Sequence, residues 1–248
     1  MSENVDKIDL ISKTPSQRKK FLEEEIQKLP NLPNIESDFQ KGKKVEQLLK
    51  KGIKIEEIIS QKTISPEKIR GVFKKFEEDF IDYIPPKLAN PKPSVYTLSD
   101  TSLLAQANTF SRELSTKLGD VWENVAFLSP KVISMEKIFD NFKIRGVDII
   151  IINESEFCFC QIKTAKSTLT GSQRPRSESE LKIFEKSKFV AALNLGNWTF
   201  NSDVVPRIAG KEFWDLIDIE YDEIIEHTKD TISSMEKYFK NKPQAKLL

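Results

Sequence analysis

Apolar residues recur along this chain with two different periods, and the period changes near residue 130. Before that point the spacing is helical. Thr14-Pro-Ser-Gln opens a charged segment whose inward candidates are Phe21, Ile26 and Leu29, and Pro30 and Pro33 close it. The apolar pairs Leu48-Leu49 and Ile58-Ile59 stand between lysines and glutamates. Ser65-Pro66-Glu67 has the form of a helix start, with serine as cap and proline at the first helical position. The clearest amphipathic helix carries Leu103, Ala107, Phe110, Leu114, Leu118, Val121 and Val125 at spacings of three and four, and it should end before Ser129-Pro130.

Beyond residue 130 the pattern becomes strand-like. The stretch from Lys131-Val132-Ile133 to Phe139 is open between strand and short helix. Val147-Asp148-Ile149-Ile150-Ile151-Ile152 is rich in β-branched residues. Asn153-Glu154-Ser155-Glu156 reads as a turn, and Glu156 to Thr164 as a second strand, so the two form an antiparallel hairpin. A helix is expected from Ser179 to Leu195, short strands near 198–200 and 204–208, and helices over 210–217 and 222–240. The fold class is therefore α/β, with a mixed central sheet flanked by helices and a helical N-terminal region. Pro85, Pro86, Pro91 and Pro93 read as a linker, which places the domain boundary near 95: a helical region 1–95 and a second domain 96–248.

Composition narrows the chemistry. No apolar run approaches the ~20 residues of a membrane span, and the first residues lack the basic-then-apolar pattern of a secretory signal, so a cytoplasmic protein without membrane partners is expected. Cys158 and Cys160 are too few for a disulfide framework and read as small buried hydrophobes. The single histidine, His227, lies in a charged helical segment and reads as surface, which disfavours histidine-based hydrolases and the common zinc enzymes. The net charge of +1 neither demands nor excludes a nucleic-acid partner. The interleaved charges of the first third are most simply solvated helix faces.

The hairpin carries the unusual residues. Gln161 and Lys163 are two apart, so on a strand they share a face with Phe157 and Phe159, while Cys158, Cys160 and Ile162 take the other. A lysine on such an apolar strand is costly to desolvate without a partner, and the neighbouring strand supplies Asp148. A salt bridge holding the hairpin is one reading. The other is phosphodiester hydrolysis. In it Asp148, the Gln161 amide oxygen and the Ile162 backbone carbonyl hold a divalent cation, and Lys163 orients water and stabilises developing charge.

The stretch Gly146-Val147-Asp148-Ile149-Ile150-Ile151-Ile152, followed by Phe157-Cys158-Phe159-Cys160-Gln161-Ile162-Lys163-Thr164, resembles the core of the PD-(D/E)XK nucleases, and within them type II restriction endonucleases. The resemblance covers roughly residues 100–220. It departs at Gly146-Val147, where a proline is often found, and at Gln161, where the residue is usually acidic. It implies catalysis by Asp148, Gln161 and Lys163 with Mg2+. The preceding helix offers Glu123, in Gly119-Asp-Val-Trp-Glu123, as a further catalytic carboxylate, with Glu113 as the competing candidate. The resemblance also makes the polar stretch after Lys163 the expected contact to double-stranded DNA: Lys166, Ser167, Thr168, Thr170, Ser172, Gln173, Arg174 and Arg176. Residues 1–95 would then serve DNA clamping or dimerisation.

The expected function is thus a homodimeric restriction endonuclease acting on a short palindrome, with a cognate DNA methyltransferase as its genetic partner. Two alternatives are a structure-specific repair or recombination nuclease on the same core, and a non-catalytic DNA-binding protein that keeps the nuclease fold. Phe213 and Trp214 are expected in the core rather than against DNA.

Overall fold

The computed structural model describes residues 10–53, 55–97, 102–153, 156–168 and 172–241. They form a mixed α/β structure that divides into two compact units, each built from two stretches of chain: 1–64 with 126–219, and 65–125 with 220–248. Neither limit coincides with the boundary expected near 95. The proline-rich stretch is not an extended linker at its start, because Pro85–Ala89 is a short helix. Proline at the first turn loses no helical hydrogen bond and has the right φ.

The first unit opens with α1 (Pro15–Lys28), α2 (Ser37–Lys50) and α3 (Glu56–Ile59). At the start of α1 the Thr14 side chain accepts from the Gln17 backbone N–H, while the Gln17 side chain accepts from the Thr14 N–H at 2.9 Å. Leu22, not one of the three expected residues, is the fully buried position of α1; Phe21, Ile26 and Leu29 pack partly buried around the same core.

The second unit contains α4 (Pro66–Tyr83), α5 (Pro85–Ala89), most of α6 (Ser102–Ala126) and, from the end of the chain, α10 (Tyr221–Asn241). Ser65 caps α4 by accepting from the Lys68 N–H, as the sequence indicates. Phe80, Ile84, Leu88, Phe110 and Met235 form its core. Trp122 is completely buried and meets Phe73 edge-on at 6.1 Å between ring centres. Each such side chain contributes about 1.5–3 kcal/mol on burial. His227, expected on the surface, is half-buried with its ring 5.4 Å from Phe73. Leu103, expected inward on α6, is exposed.

The remainder of the first unit is a five-stranded mixed sheet with helices. Its elements are β1 (Val132–Ile133), α7 (Met135–Ile138), β2 (Ile149–Asn153), β3 (Glu156–Ala165), α8 (Arg174–Leu181), β4 (Ser187–Leu193), β5 (Arg207–Ala209) and α9 (Lys211–Leu216). The ambiguous stretch from Val132 is thus both a strand and a short helix. Strand order follows chain order, β1-β2-β3-β4-β5. The pairs β1/β2 and β2/β3 are antiparallel; β3/β4 and β4/β5 are parallel.

Two expectations fail here. Residues 187–193 are β4, not the second half of a helix, and α8 begins at Arg174, five residues before Ser179. β4 is a parallel strand enclosed between β3 and β5, and Phe189 to Ala192 are each 1% exposed or less. An apolar run buried on both faces carries no period-two signal. Residues 198–200 form no strand, and the last strand is confined to three residues.

Ile150, Phe157 and Phe159, on one face of the hairpin, share a core cluster with Val45, Leu48 and Leu49 of α2. Phe159 stacks on Phe184 at 4.0 Å. Gly42 of α2 lets that helix lie close, since a Cβ there would meet Ile144 Cγ2 at 2.9 Å. Phe213 and Trp214 are fully buried, and Trp214 Nε1 donates to the Ala192 carbonyl at 2.7 Å. Among the described residues no helix is long and apolar enough to cross a membrane.

Candidate active site

β2 and β3 pair from Ile149↔Cys160 to Asn153↔Glu156. Asp148 stands one residue before β2, and its N–H continues the ladder by donating to the Cys160 carbonyl at 2.9 Å. Ile149 also pairs with Cys160, so Asp148 and Ile149 both stand opposite that residue and Asp148 occupies a bulge at the end of the ladder. Lys163 lies two residues beyond Gln161 on β3 and shares its face. The Asp148 carboxylate reaches the backbone between Gln161 and Lys163, and the Lys163 charge acts on it.

The carboxylate is held by backbone. Asp148 Oδ2 accepts from the Ile162 N–H at 2.7 Å. On a strand the N–H and C=O of one residue point to the same side, so the Ile162 carbonyl also faces the Asp148 edge, beyond the end of β2. Burial nevertheless pushes the Asp148 pKa up. The Ile162 N–H and the Lys163 charge oppose this shift, while Glu136 and Glu180 add to it. Lys163 is half-buried, and its side chain makes no ion pair or hydrogen bond among the described residues.

Gln161 is 7% exposed, and its Oε1 is buried without a hydrogen-bond partner. An unsatisfied buried acceptor costs about 1–3 kcal/mol, so its place beside a carboxylate asks for a donor or a cation. The oxygen set of Asp148, Gln161 and the Ile162 carbonyl fits a hard divalent ion of the Mg2+ type, which takes one or two carboxylates and completes its shell from water and phosphate. Among the described residues no three histidine, cysteine or acidic side chains converge as a metal-binding group. The set is poor in charge.

Glu180 is the acidic residue that sequence reasoning missed. It lies on α8, is 3% exposed, and accepts from Arg145 Nε at 3.0 Å and Arg176 Nε at 2.9 Å through one oxygen. Arg145 also pairs with Asp38 of α2. Glu180 presses on the turn that leads to Asp148. Gly146 has φ +74°, and a Cβ there would stand 2.5 Å from Glu180 Cβ. The absence of proline at 146 is thus required by close packing and a left-handed backbone. The four-residue spacing of Arg176 and Glu180 is the available signal, but the expected helix starts too late to use it.

The helix carboxylates expected to join the site belong to the other unit. Glu123, on α6, is half-buried and has interaction partners of its own. Glu113 is bonded by the Tyr83 hydroxyl at 2.6 Å and by Arg112 at 3.2 Å; the Tyr83 bond is the main cause of its lowered pKa.

The polar stretch after Lys163 divides. Lys166 donates its N–H to the Leu195 carbonyl, and the Thr168 hydroxyl accepts from the Ala165 N–H at 3.1 Å, so this part is a closed turn at the end of β3. Ser167, Thr168, Ser172 and Gln173 are exposed. Thr170 lies outside the described residues. Arg174 and Arg176 are occupied by ion pairs to Glu178 and Glu180 along α8, although Arg176 remains 73% exposed. No protein-family model, curated protein or solved structure matches this chain.

Proposed function

We propose that the chain is a type II restriction endonuclease with a restriction-endonuclease-like core, cutting double-stranded DNA at a short palindrome with Mg2+. On this reading it works as a homodimer in the cytoplasm of a prokaryotic cell, beside a cognate methyltransferase. The observation that carries the proposal is the Asp148 carboxylate bonded to the Ile162 N–H, between Gln161 and Lys163, with Gln161 Oε1 buried and unpartnered.

Asp148, Gln161 and the Ile162 carbonyl would hold the ion. Mg2+, when bound, supplies charge that polarises the scissile phosphate and acidifies water. Lys163 contributes a cation with no competing partner among the described residues, suited to orienting water and to stabilising charge on the phosphate. The Ile162 N–H keeps one Asp148 oxygen fixed, which leaves the other for the ion. Arg174, Arg176 and the exposed hydroxyls beside them are the proposed DNA contacts, and the arginines would exchange carboxylate partners for phosphate.

Incubation of the protein with a long duplex and Mg2+ tests this. Discrete fragments, lost with EDTA and with Lys163→Ala, are expected. A smear, or no cutting with any divalent ion, would overturn it. The charge-poor ligand set supports one second reading, a non-catalytic DNA-binding protein on the same core. Duplex binding that persists without cleavage in every metal would select that reading.

A further inference from the structure

The face of β3 opposite Gln161 and Lys163 carries both cysteines. Cys160 is buried and Cys158 is partly exposed. The Cys160 thiol points at its neighbour, with Sγ to Sγ 3.8 Å. Cys158 opens into a cavity of about 540 Å³, which Lys186, Lys188, Glu156, Glu212 and Val204 also line. Small-molecule sites commonly have volumes of about 300–1,000 Å³.

The charges in this cavity are not all paired. Lys186 is matched with Glu156. The side chains of Lys188 and Glu212 make no ion pair or hydrogen bond among the described residues. The parallel register sets Lys188 beside Cys160, hence on the cysteine face. The two sulfurs are driven apart in character. Cys158 is held below the ordinary thiol range, first by the hydrogen bond from Cys160 and then by Lys188 and Lys186, against burial and Glu156. Burial pushes the Cys160 thiol up. A partly exposed sulfur with a donor behind it and lysines beside it is the setting of a reactive thiol.

We propose that Cys158 is a thiol-modification site, distinct from the Asp148–Lys163 face, at which its sulfur exchanges with a small zwitterionic disulfide of the glutathione class held by Lys188 and Glu212. One unpaired lysine and one unpaired carboxylate match a ligand that carries both carboxylates and an ammonium. In the exchange the Cys158 thiolate attacks one sulfur of the disulfide, a new S–S bond forms and the old one breaks. The leaving half departs as a thiolate and takes a proton from water, so the Cys158 sulfur is oxidised and the leaving sulfur is reduced. Cys160 stays buried throughout and takes no part in the exchange.

Intact-mass measurement and peptide mapping of the native full chain test this, with glutathione disulfide and neutral hydroxyethyl disulfide as probes. One glutathionyl group per chain, on Cys158, is expected, and none on Cys158→Ser. Glutathione disulfide should react several-fold faster than the neutral probe. Lys188→Ala and Glu212→Ala should each erase most of that preference, read as the ratio of the two probes' rates within one variant, and Lys188→Ala should also slow the neutral probe because Lys188 helps to lower the thiol pKa. Modification on Cys160, no adduct on folded protein that labels fully in denaturant, or equal rates for the two probes would overturn the proposal.

Discussion

The backbone N–H of Ile162 donates to Asp148 Oδ2 at 2.7 Å, so this carboxylate is aimed by the neighbouring strand rather than by a side chain. Any change at residue 148 that keeps an oxygen in place preserves the bond. Effects of the charge can therefore be separated from effects of the geometry.

Asp148→Asn is expected to raise stability at neutral pH while abolishing cleavage. The folded-state pKa of Asp148 is raised above the ordinary value of 3.8, chiefly by burial. Its contribution to stability is fully present below that ordinary value and is lost as pH rises through the folded value. Asparagine removes the buried charge. Thermal melts from about pH 4 to about pH 8 should show the variant gaining on the wild type by a few degrees as pH rises. A difference that does not change with pH counts against this account.

Gln161→Glu should strengthen metal binding. It adds a second carboxylate beside Asp148 and gives the unpartnered Oε1 position a charge that a cation can satisfy. Thermal shift titrations should place half-saturation at about tenfold lower Mg2+ than in the wild type. Without metal the variant should melt lower, since two neighbouring buried carboxylates repel. Unaltered Mg2+ dependence would show that Gln161 lies outside the ion's reach.

Gly146→Ala is expected to cost ~2–4 kcal/mol, from a left-handed backbone and overlap with Glu180 Cβ. Urea denaturation measures it. Because this turn leads directly to Asp148, cleavage per folded molecule should also fall. A loss of less than ~1 kcal/mol would mean that α8 yields easily at this contact.

Lys62 gives the first unit a pH dependence of opposite sign. Its ammonium donates to the Val132 carbonyl at 2.6 Å and sits 3.5 Å from the centre of the Phe127 ring. Burial, helped by Lys137, brings its pKa down to about 7 from 10.5. The unfolded chain holds the proton between those values and the folded one does not, so stability rises with pH across that window. Lys62→Met removes the titration. Urea midpoints at about pH 6 and about pH 9.5 should show the wild type gaining relative to the variant at the higher pH.

The hairpin was legible because β2 and β3 announce themselves by β-branched runs and alternation, and a period of two fixes which residues share a face. Gln161 and Lys163 could be grouped on that ground alone, with Asp148 offered by the neighbouring strand. β4 was not legible, since Phe189 to Ala192 are apolar toward both sides of the sheet and a continuous apolar run fits a helix equally well. Glu180 was hidden for a different reason. Which helix lays a carboxylate beside a strand is decided by tertiary packing, and the sequence offered Glu123 and Glu113, both of which fold into the other unit. The division itself was out of reach, because it follows contacts between distant stretches rather than any local break at the prolines.

That division bears on how the chain is made. The first unit needs residues up to Ile219, yet its opening helices are synthesised before the stretch 65–125 intervenes. At ~5–20 residues per second, Leu22, Leu48 and Leu49 wait several seconds for Ile150, Phe157 and Phe159 to leave the ribosome. The nascent protein must carry that apolar surface uncovered in the meantime, which makes it a client for chaperones during synthesis and an aggregation hazard when translation stalls before the hairpin.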